Sequence, residues 1–290
     1  MLDSDLTHTV PHDIPPTRLS DYGIGLFSVC MTKAALKKVL KKGWIKVDGE
    51  KGQTGTWIKG GEEITLHQTA EPSQKKQLIF PLKILLEDDY LAVIHKPAGI
   101  LVSGNGFKTI VNALPQSLRR SSLPDATAPQ PIHRLDYATT GALLIGKTTS
   151  AIRQLSLQFQ QKHVEKTYYA VAIGEMPEGG TLDSLIDGKE AITHFEKLDS
   201  VPSPRFTQLN LLKIRLETGR RHQIRKHLSE LGNHILGDKD YGLPGLILNG
   251  KGMYLHAYEL SFTHHHLREA ITVCSKVPKR FIKLFPSITS

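Results

Sequence analysis

Cysteine is nearly absent from this chain. Cys30 and Cys274 are the only two in 290 residues, far apart and without partners at metal-ligand spacing, which excludes a disulfide framework and a zinc site and leaves both as small core residues. No run of about 18 apolar residues exists to span a bilayer. The opening Met1-Leu2-Asp3-Ser4-Asp5 also lacks the basic-then-apolar order of a secretory signal. These absences predict a soluble, cytoplasmic protein with no membrane partner. Acidic residues are the other shortage: 28 Asp and Glu face 37 Lys and Arg, a net charge of +9. An anionic partner is therefore attracted at long range and held by counterion release, and RNA, DNA and acidic membrane surfaces all meet that description. With 39% apolar residues, the chain is long enough for one large domain and a small one.

Residues 1–17 are polar and contain Pro11, Pro15 and Pro16, which predicts an extended lead-in outside the fold. From Thr32 the pattern turns helical. Thr32 can cap, Ala35, Leu36, Val39 and Leu40 form an apolar stripe, Lys33, Lys37, Lys38, Lys41 and Lys42 occupy the rest, and Gly43 stops the helix. Trp44-Ile45-Lys46-Val47, the turn pair Asp48-Gly49 and Glu63-Ile64-Thr65-Leu66 then read as a small strand pair. Residues 18–66 thus resemble the S4-like RNA-binding module, in which a basic helix packs on a hairpin and faces phosphates. Residues 67–81 form a linker, and 82–290 a second domain of mixed α+β class. Within it, residues 115–130, rich in Pro, Ser and Arg, are expected to be a loop.

The densest chemical signal is Ile132-His133-Arg134-Leu135-Asp136-Tyr137-Ala138-Thr139-Thr140-Gly141, leading into the apolar run Ala142-Leu143-Leu144-Ile145. A carboxylate in a loop entering the core must be paired or desolvated, and either condition tunes it for nucleophilic or base work; a turn residue capping its own backbone is the plainer alternative. Gly141 to Thr148 also fits the phosphate-loop pattern letter for letter. Leu143, Leu144 and Ile145 contradict it, because a phosphate cradle needs small loop residues whose N–H groups converge on the anion. Ser150 can cap a helix with Ile152, Leu155 and Phe159 on one side. In the strand Lys166 to Ile173, Tyr168 shares a face with Ala170 and Ala172, leaving room beside its ring for a stacked base or for a neighbouring helix. The cluster Glu217-Thr218-Gly219-Arg220-Arg221-His222-Gln223-Ile224-Arg225 predicts a helix capped by Thr218, with Ile224, Leu228 and Leu231 buried. Arg221 and Arg225 lie at the edge of that stripe, where they need a carboxylate or phosphate. Gly237 to Gly242 reads as a turn, and His264-His265-His266 as an exposed turn without a metal.

Together, Glu87 to Gly99, the His-Arg-Leu-Asp segment, Lys166 to Val171, the Thr218 to Leu228 cluster and Leu255-His256-Ala257 resemble the RluA-type pseudouridine synthases in order and spacing. The resemblance spans about residues 82–285. It implies a catalytic domain built on a mixed, mainly antiparallel sheet with flanking helices, behind a small α/β RNA-binding module. It also implies isomerisation of uridine to pseudouridine in a structured RNA, ribosomal or transfer, by a cofactor-free and metal-free monomer. Carried over by position, Asp136 is the catalytic carboxylate and Tyr168 the ring packed on the target uracil, able to assist proton removal from carbon five. Arg225 is the ion-pair partner of Asp136, and Arg134 fills the gap left by the extruded base. His133, Arg220, Arg221, Lys37, Lys38 and Lys41 join Arg134 as RNA contacts. Tyr137-Ala138-Thr139-Thr140 and His95 depart from the usual family residues without removing a catalytic group. An RNA-binding protein in which Asp136 only caps its loop stands as the alternative.

Overall fold

The computed structural model describes residues 6–30, 32–67, 78–248 and 250–288, and the chain divides into two compact units, Met1–Lys75 and Lys76–Ser290. The first contains β1 (Leu6–Thr9), β2 (Thr17–Arg18), α1 (Leu19–Tyr22), α2 (Lys33–Lys41), β3 (Ile45–Val47), β4 (Glu50–Lys51), β5 (Trp57–Ile58) and β6 (Glu63–Leu66). Helix α2 begins where the Thr32 hydroxyl accepts a hydrogen bond from the Ala35 N–H, and it buries Leu36, Val39 and Leu40. Gly43, at φ +72°, ends it. Asp48 and Gly49 both take positive φ, as a tight two-residue hairpin requires, and join β3 to β4. Strand β6 pairs antiparallel with β3.

The expected lead-in is corrected by β1, which pairs antiparallel with β6 from Leu6↔Leu66 to Thr9↔Glu63, and by Val10, which is buried. The prolines fall after β1, so none removes a donor from its ladder, and the short strand covers the free edge of β6. Of the linker expected at 67–81, residues 68–77 lie outside the described residues.

The second unit contains β7 (Lys83–Glu87), β8 (Leu91–Lys96), α3 (Ile110–Ser117), β9 (Ala126–Pro131), β10 (Thr140–Thr148), α4 (Thr149–Gln160), β11 (Glu165–Ile173), β12 (Gly179–Leu182), β13 (Thr193–Ser203), β14 (Thr207–Leu216), α5 (Gln223–Glu230), β15 (Leu255–Thr263), β16 (Ala270–Cys274) and α6 (Lys279–Leu284). Its sheet runs β12-β13-β14-β11-β15-β10-β8-β7, with β9 on β10 and β16 on β15. Among the described residues, β10 and β15 pair in parallel through Thr140↔His256 and Gly141↔Ala257, while the other pairs are antiparallel. This is the mixed, mainly antiparallel sheet the resemblance implies.

All of β10 is buried. The segment with the phosphate-loop pattern is therefore a ladder strand, and its Lys147 is paired with Glu87 at 2.9 Å. The loop expected at 115–130 is partly ordered structure: α3 continues to Ser117, and β9 is an edge strand, where Pro129 and Pro131 are tolerated. The cap of α4 is Thr148, whose hydroxyl accepts from the Ala151 N–H, and not Ser150. Along β11, Tyr168, Ala170 and Ala172 face a core containing Leu135, Ile224 and Leu228. Tyr169, Val171 and Ile173 face a second core around Phe281 and Phe285. Of the three histidines, His265 and His266 lie in the expected turn, with His266 exposed and stacked on the Tyr90 ring at 4.6 Å, whereas His264 is buried and bonded to Asp88 at 3.0 Å. No helix among the described residues is long and apolar enough to cross a membrane.

Candidate active site

Asp136 lies in the loop between β9 and β10, and three contacts give that loop its shape. Thr139 N–H donates to the Asp136 carbonyl at 3.1 Å, and Gly99 N–H donates to the Tyr137 carbonyl at 2.8 Å. At the end of β8 the fully buried Lys96 ammonium donates to the carbonyls of Pro97 (2.9 Å), Tyr137 (3.4 Å) and Thr139 (2.8 Å). Burial pushes this amine down to about 8, against the opposing pull of the Asp136 charge. The loop enters the sheet at Gly141, where φ is +125° and a Cβ would lie 2.1 Å from the Ala257 carbonyl oxygen. Only glycine lets β10 come alongside β15 at this point.

Opposite stands the start of α5. Thr218 is not its cap, since its hydroxyl accepts from Ile192 N–H and donates to the Gln223 side chain. The helix starts instead after His222, a non-glycine residue in the left-handed region at φ +56°, the kind of strain that collects at functional sites. Leu231, expected in the buried stripe, is exposed beyond the last turn. Arg225, in the first turn, is 5% exposed. Its Nε and Nη2 donate to the two oxygens of Asp238, each at 2.7 Å, and Nη2 also donates to Asp240 at 2.6 Å. The remaining nitrogen, Nη1, faces Asp136 at 3.5 Å. Burial opposes the guanidinium charge, but the bonds it donates to Asp238 and Asp240 outweigh that and hold the group above its usual value. The guanidinium also lies over the Tyr241 ring at 4.9 Å. His222 bonds the Tyr241 hydroxyl through Nδ1 at 3.0 Å and places Nε2 3.8 Å from Asp136. Gly237 holds this acidic loop in place, at φ +80° and with no room for a Cβ beside the Gly252 carbonyl.

Tyr168 enters from β11, beside Ala257 on one neighbouring strand and Ile214 on the other. Burial first, and the charge of Asp136 second, push its phenol well above the usual tyrosine range. Tyr168, Asp136 and Arg225 line one small cavity, and Asp136 and Arg225 also line an adjoining cleft of about 680 Å³. The three side chains named from the sequence therefore meet. Arg225 differs from expectation in its closest partner, which is Asp238, with Asp136 on the remaining edge of the guanidinium.

The other named residues divide. Arg134 and Arg221 are exposed and line the cleft, whereas Arg220 is turned to the Glu190 carbonyl at 2.8 Å. The assignment of His133 to RNA is corrected: its Nε2 accepts from Leu144 N–H at 3.1 Å, its ring stacks on Phe159 at 4.9 Å, and burial pushes the imidazole down to about 4. Lys37, Lys38 and Lys41 are exposed on α2 in the first unit. Sequence reasoning missed Lys96, His222, Asp238, Asp240 and Tyr241. The available signals were a lysine closing an apolar strand just before a proline, and two carboxylates bracketed by Gly237 and Gly242. Among the described residues no cluster of His, Cys, Asp and Glu could hold a metal ion.

Residues 90–230 match the family of RNA pseudouridylate synthases. The chain is 32% identical to the ribosomal large subunit pseudouridine synthase D of Nitrosomonas europaea, over 97% of this chain and 87% of that protein. It is 31% identical to the protein of the same name from Xanthomonas campestris, over 99% and 94%. Among solved structures, human RNA pseudouridylate synthase domain containing 4 superposes with a TM-score of 0.56 at 26% identity, covering 69% of this chain and 90% of that one. The likeness thus extends from the cleft to nearly the whole sequence, and the chain belongs to the RNA pseudouridylate synthases, isomerases that convert uridine in RNA to pseudouridine.

Proposed function

We propose that the target is RNA of the large ribosomal subunit, that Asp136 opens the glycosidic bond, that Tyr168 carries the extruded uracil and that Arg225 holds Asp136 in place. The observation that carries this reading is the guanidinium of Arg225, fixed on two sides by Asp238 and Asp240 and directed by its remaining edge to Asp136 within the cleft. The names of the relatives favour the ribosomal target.

The uridine must leave its stack, at a cost of a few kcal/mol, because neither the glycosidic bond nor carbon five of the ring is reachable inside a helix. Arg134, exposed at the cleft, fills the vacated space, and stacking on the Tyr168 ring offsets part of the cost. An ionised Asp136 then acts on the sugar, at the anomeric carbon or at the neighbouring proton. The detached uracil turns within the cavity and rejoins through carbon five, whose proton passes to water while the freed ring nitrogen takes one up. Tyr168, with its phenol pushed up by burial, stays protonated and serves as a surface and hydrogen-bond donor, not as a phenolate base. The first unit supplies an S4-like RNA-binding module whose Lys37, Lys38 and Lys41 face phosphates, supported by the capped basic helix packed beside a hairpin.

Ribosomal and transfer RNA from a strain lacking the gene provide the test. Wild-type enzyme should restore a carbodiimide-dependent primer-extension stop in large-subunit RNA, and Asp136→Asn should lower the rate about 10³-fold or more while RNA binding persists. A stop restored only in transfer RNA removes the ribosomal target. Restoration by Asp136→Asn removes the catalytic assignment.

A further inference from the structure

Beside Asp136 stands a second aromatic ring that the reaction does not use. The backbone of Tyr137 is pinned, its carbonyl accepting from Gly99 N–H at 2.8 Å and from the Lys96 ammonium at 3.4 Å. Its side chain is nonetheless 57% exposed and lines the same 680 Å³ cleft as Asp136. Among the described residues the ring has no aromatic or cationic neighbour and the hydroxyl no hydrogen-bond partner. The same wall continues through Ala98, Gly99 and Leu101, the last 44% exposed. Arg134, Arg221 and Lys239 supply positive charge to the cleft.

Asp136 acts on the sugar of the target uridine, so the RNA backbone that flanks that sugar passes along the wall where Tyr137 stands. Tyr168 is too deeply buried to meet more than one ring. We propose that Tyr137 is the stacking platform for the nucleotide adjoining the target uridine, whose phosphate the arginines of the cleft hold. The ring is then a specificity-determining residue. It selects RNA in which the adjoining base is unpaired or can be freed from its stack, and it draws that base aside so that the uridine has a path to Tyr168. Every base has a π face, so the platform senses the availability of the neighbour and not its identity. This rests on the reading of Asp136 as the group at the reacting sugar.

The test uses RNA oligonucleotides spanning the mapped uridine, labelled with tritium at its carbon five, with isotope release as readout. One substrate is intact, and two carry an abasic residue on the 5′ or the 3′ side of the target. Tyr137→Ala should raise KM about tenfold, with the loss falling on KM and not on kcat, and Tyr137→Phe should restore the wild-type value. On the abasic RNA that removes the stacked neighbour, wild type should drop to the level of Tyr137→Ala, and the variant should lose nothing further. Equal KM for wild type and Tyr137→Ala, or losses that simply add on both abasic substrates, overturns the assignment. An Asp136→Asn variant that stays inactive on the intact RNA, while wild type turns it over, keeps the reading of Asp136 standing through either of those outcomes.

Discussion

In α2 the lysines at 37, 38 and 41 stand in solvent on a helix whose buried side is Leu36, Val39 and Leu40, whereas in α5 the arginine at 225 is itself part of the buried side. Solvated cations gain at most about 1 kcal/mol from any pairing and act through the field they share, so their exact positions matter little. A desolvated guanidinium is different. It must be met by carboxylates at hydrogen-bond distance, and once Asp238 and Asp240 have met Arg225, the direction of its third nitrogen is fixed. In the proposed function the two helices therefore divide the work: one attracts the RNA, and the other sets the geometry of a single carboxylate.

The largest effect should come from unlocking Arg225. Asp238→Asn leaves the guanidinium buried with only Asp136 at 3.5 Å and the 65% exposed Asp240 as charged partners. Removing one member of a buried pair costs about 3 kcal/mol, visible as a lower urea midpoint. A displacement of the order of 1 Å at the reacting group costs about 10²-fold in rate, visible in single-turnover kinetics. A variant with wild-type kcat would mean that Asp136 does not depend on a fixed guanidinium, and the contrast between the helices would lose its catalytic meaning.

Histidines extend the contrast to pH. His256 is fully buried, its Nε2–H donating to the Ser275 carbonyl at 3.0 Å and its Nδ1 accepting from Thr140 at 2.8 Å. Burial, with a smaller contribution from His95, pushes it down to about 4, against the bonds from Ser275 and Thr140. The unfolded chain binds a proton below about pH 6.5 that the native state refuses until about pH 4. Stability from this group is therefore complete above pH 6.5 and is lost as pH falls towards 4, by about 3 kcal/mol. Unfolding free energies measured across that window should fall less steeply in His256→Asn than in wild type. Parallel slopes would show that the imidazole is not held neutral.

What could be read in advance follows from this physics. Thr32, Gly43 and the pair Asp48-Gly49 are local signals, each deciding its own cap or turn, and the sequence pattern located them. The alternation in β11 put Tyr168 on the correct face, because strand period is local as well. The partners of Arg225 were not legible, since Asp238 is brought back by a loop whose course depends on Gly237 packing against Gly252. The role of Lys96 was not legible either, because nothing in the linear chain shows that three carbonyls from two loops converge on it. The lead-in failed for a related reason: β1 owes its existence to the free edge of β6, some fifty residues later.

The smallest effect belongs to α2, and its form is more telling than its size. Replacing Lys37, Lys38 and Lys41 together by alanine removes solvated charges from a helix whose cap and buried stripe are untouched. Every phosphate that the helix no longer neutralises should lower the slope of log affinity against log salt by about one, so the triple variant should lose about two to three. At physiological ionic strength KM for RNA should rise about tenfold. In the proposed function those lysines act through the field they share, so kcat at saturating RNA should stay at the wild-type value. A fall in kcat would tie α2 to the chemistry itself, and an unchanged salt slope would make its lysines a solvated face that the RNA never meets.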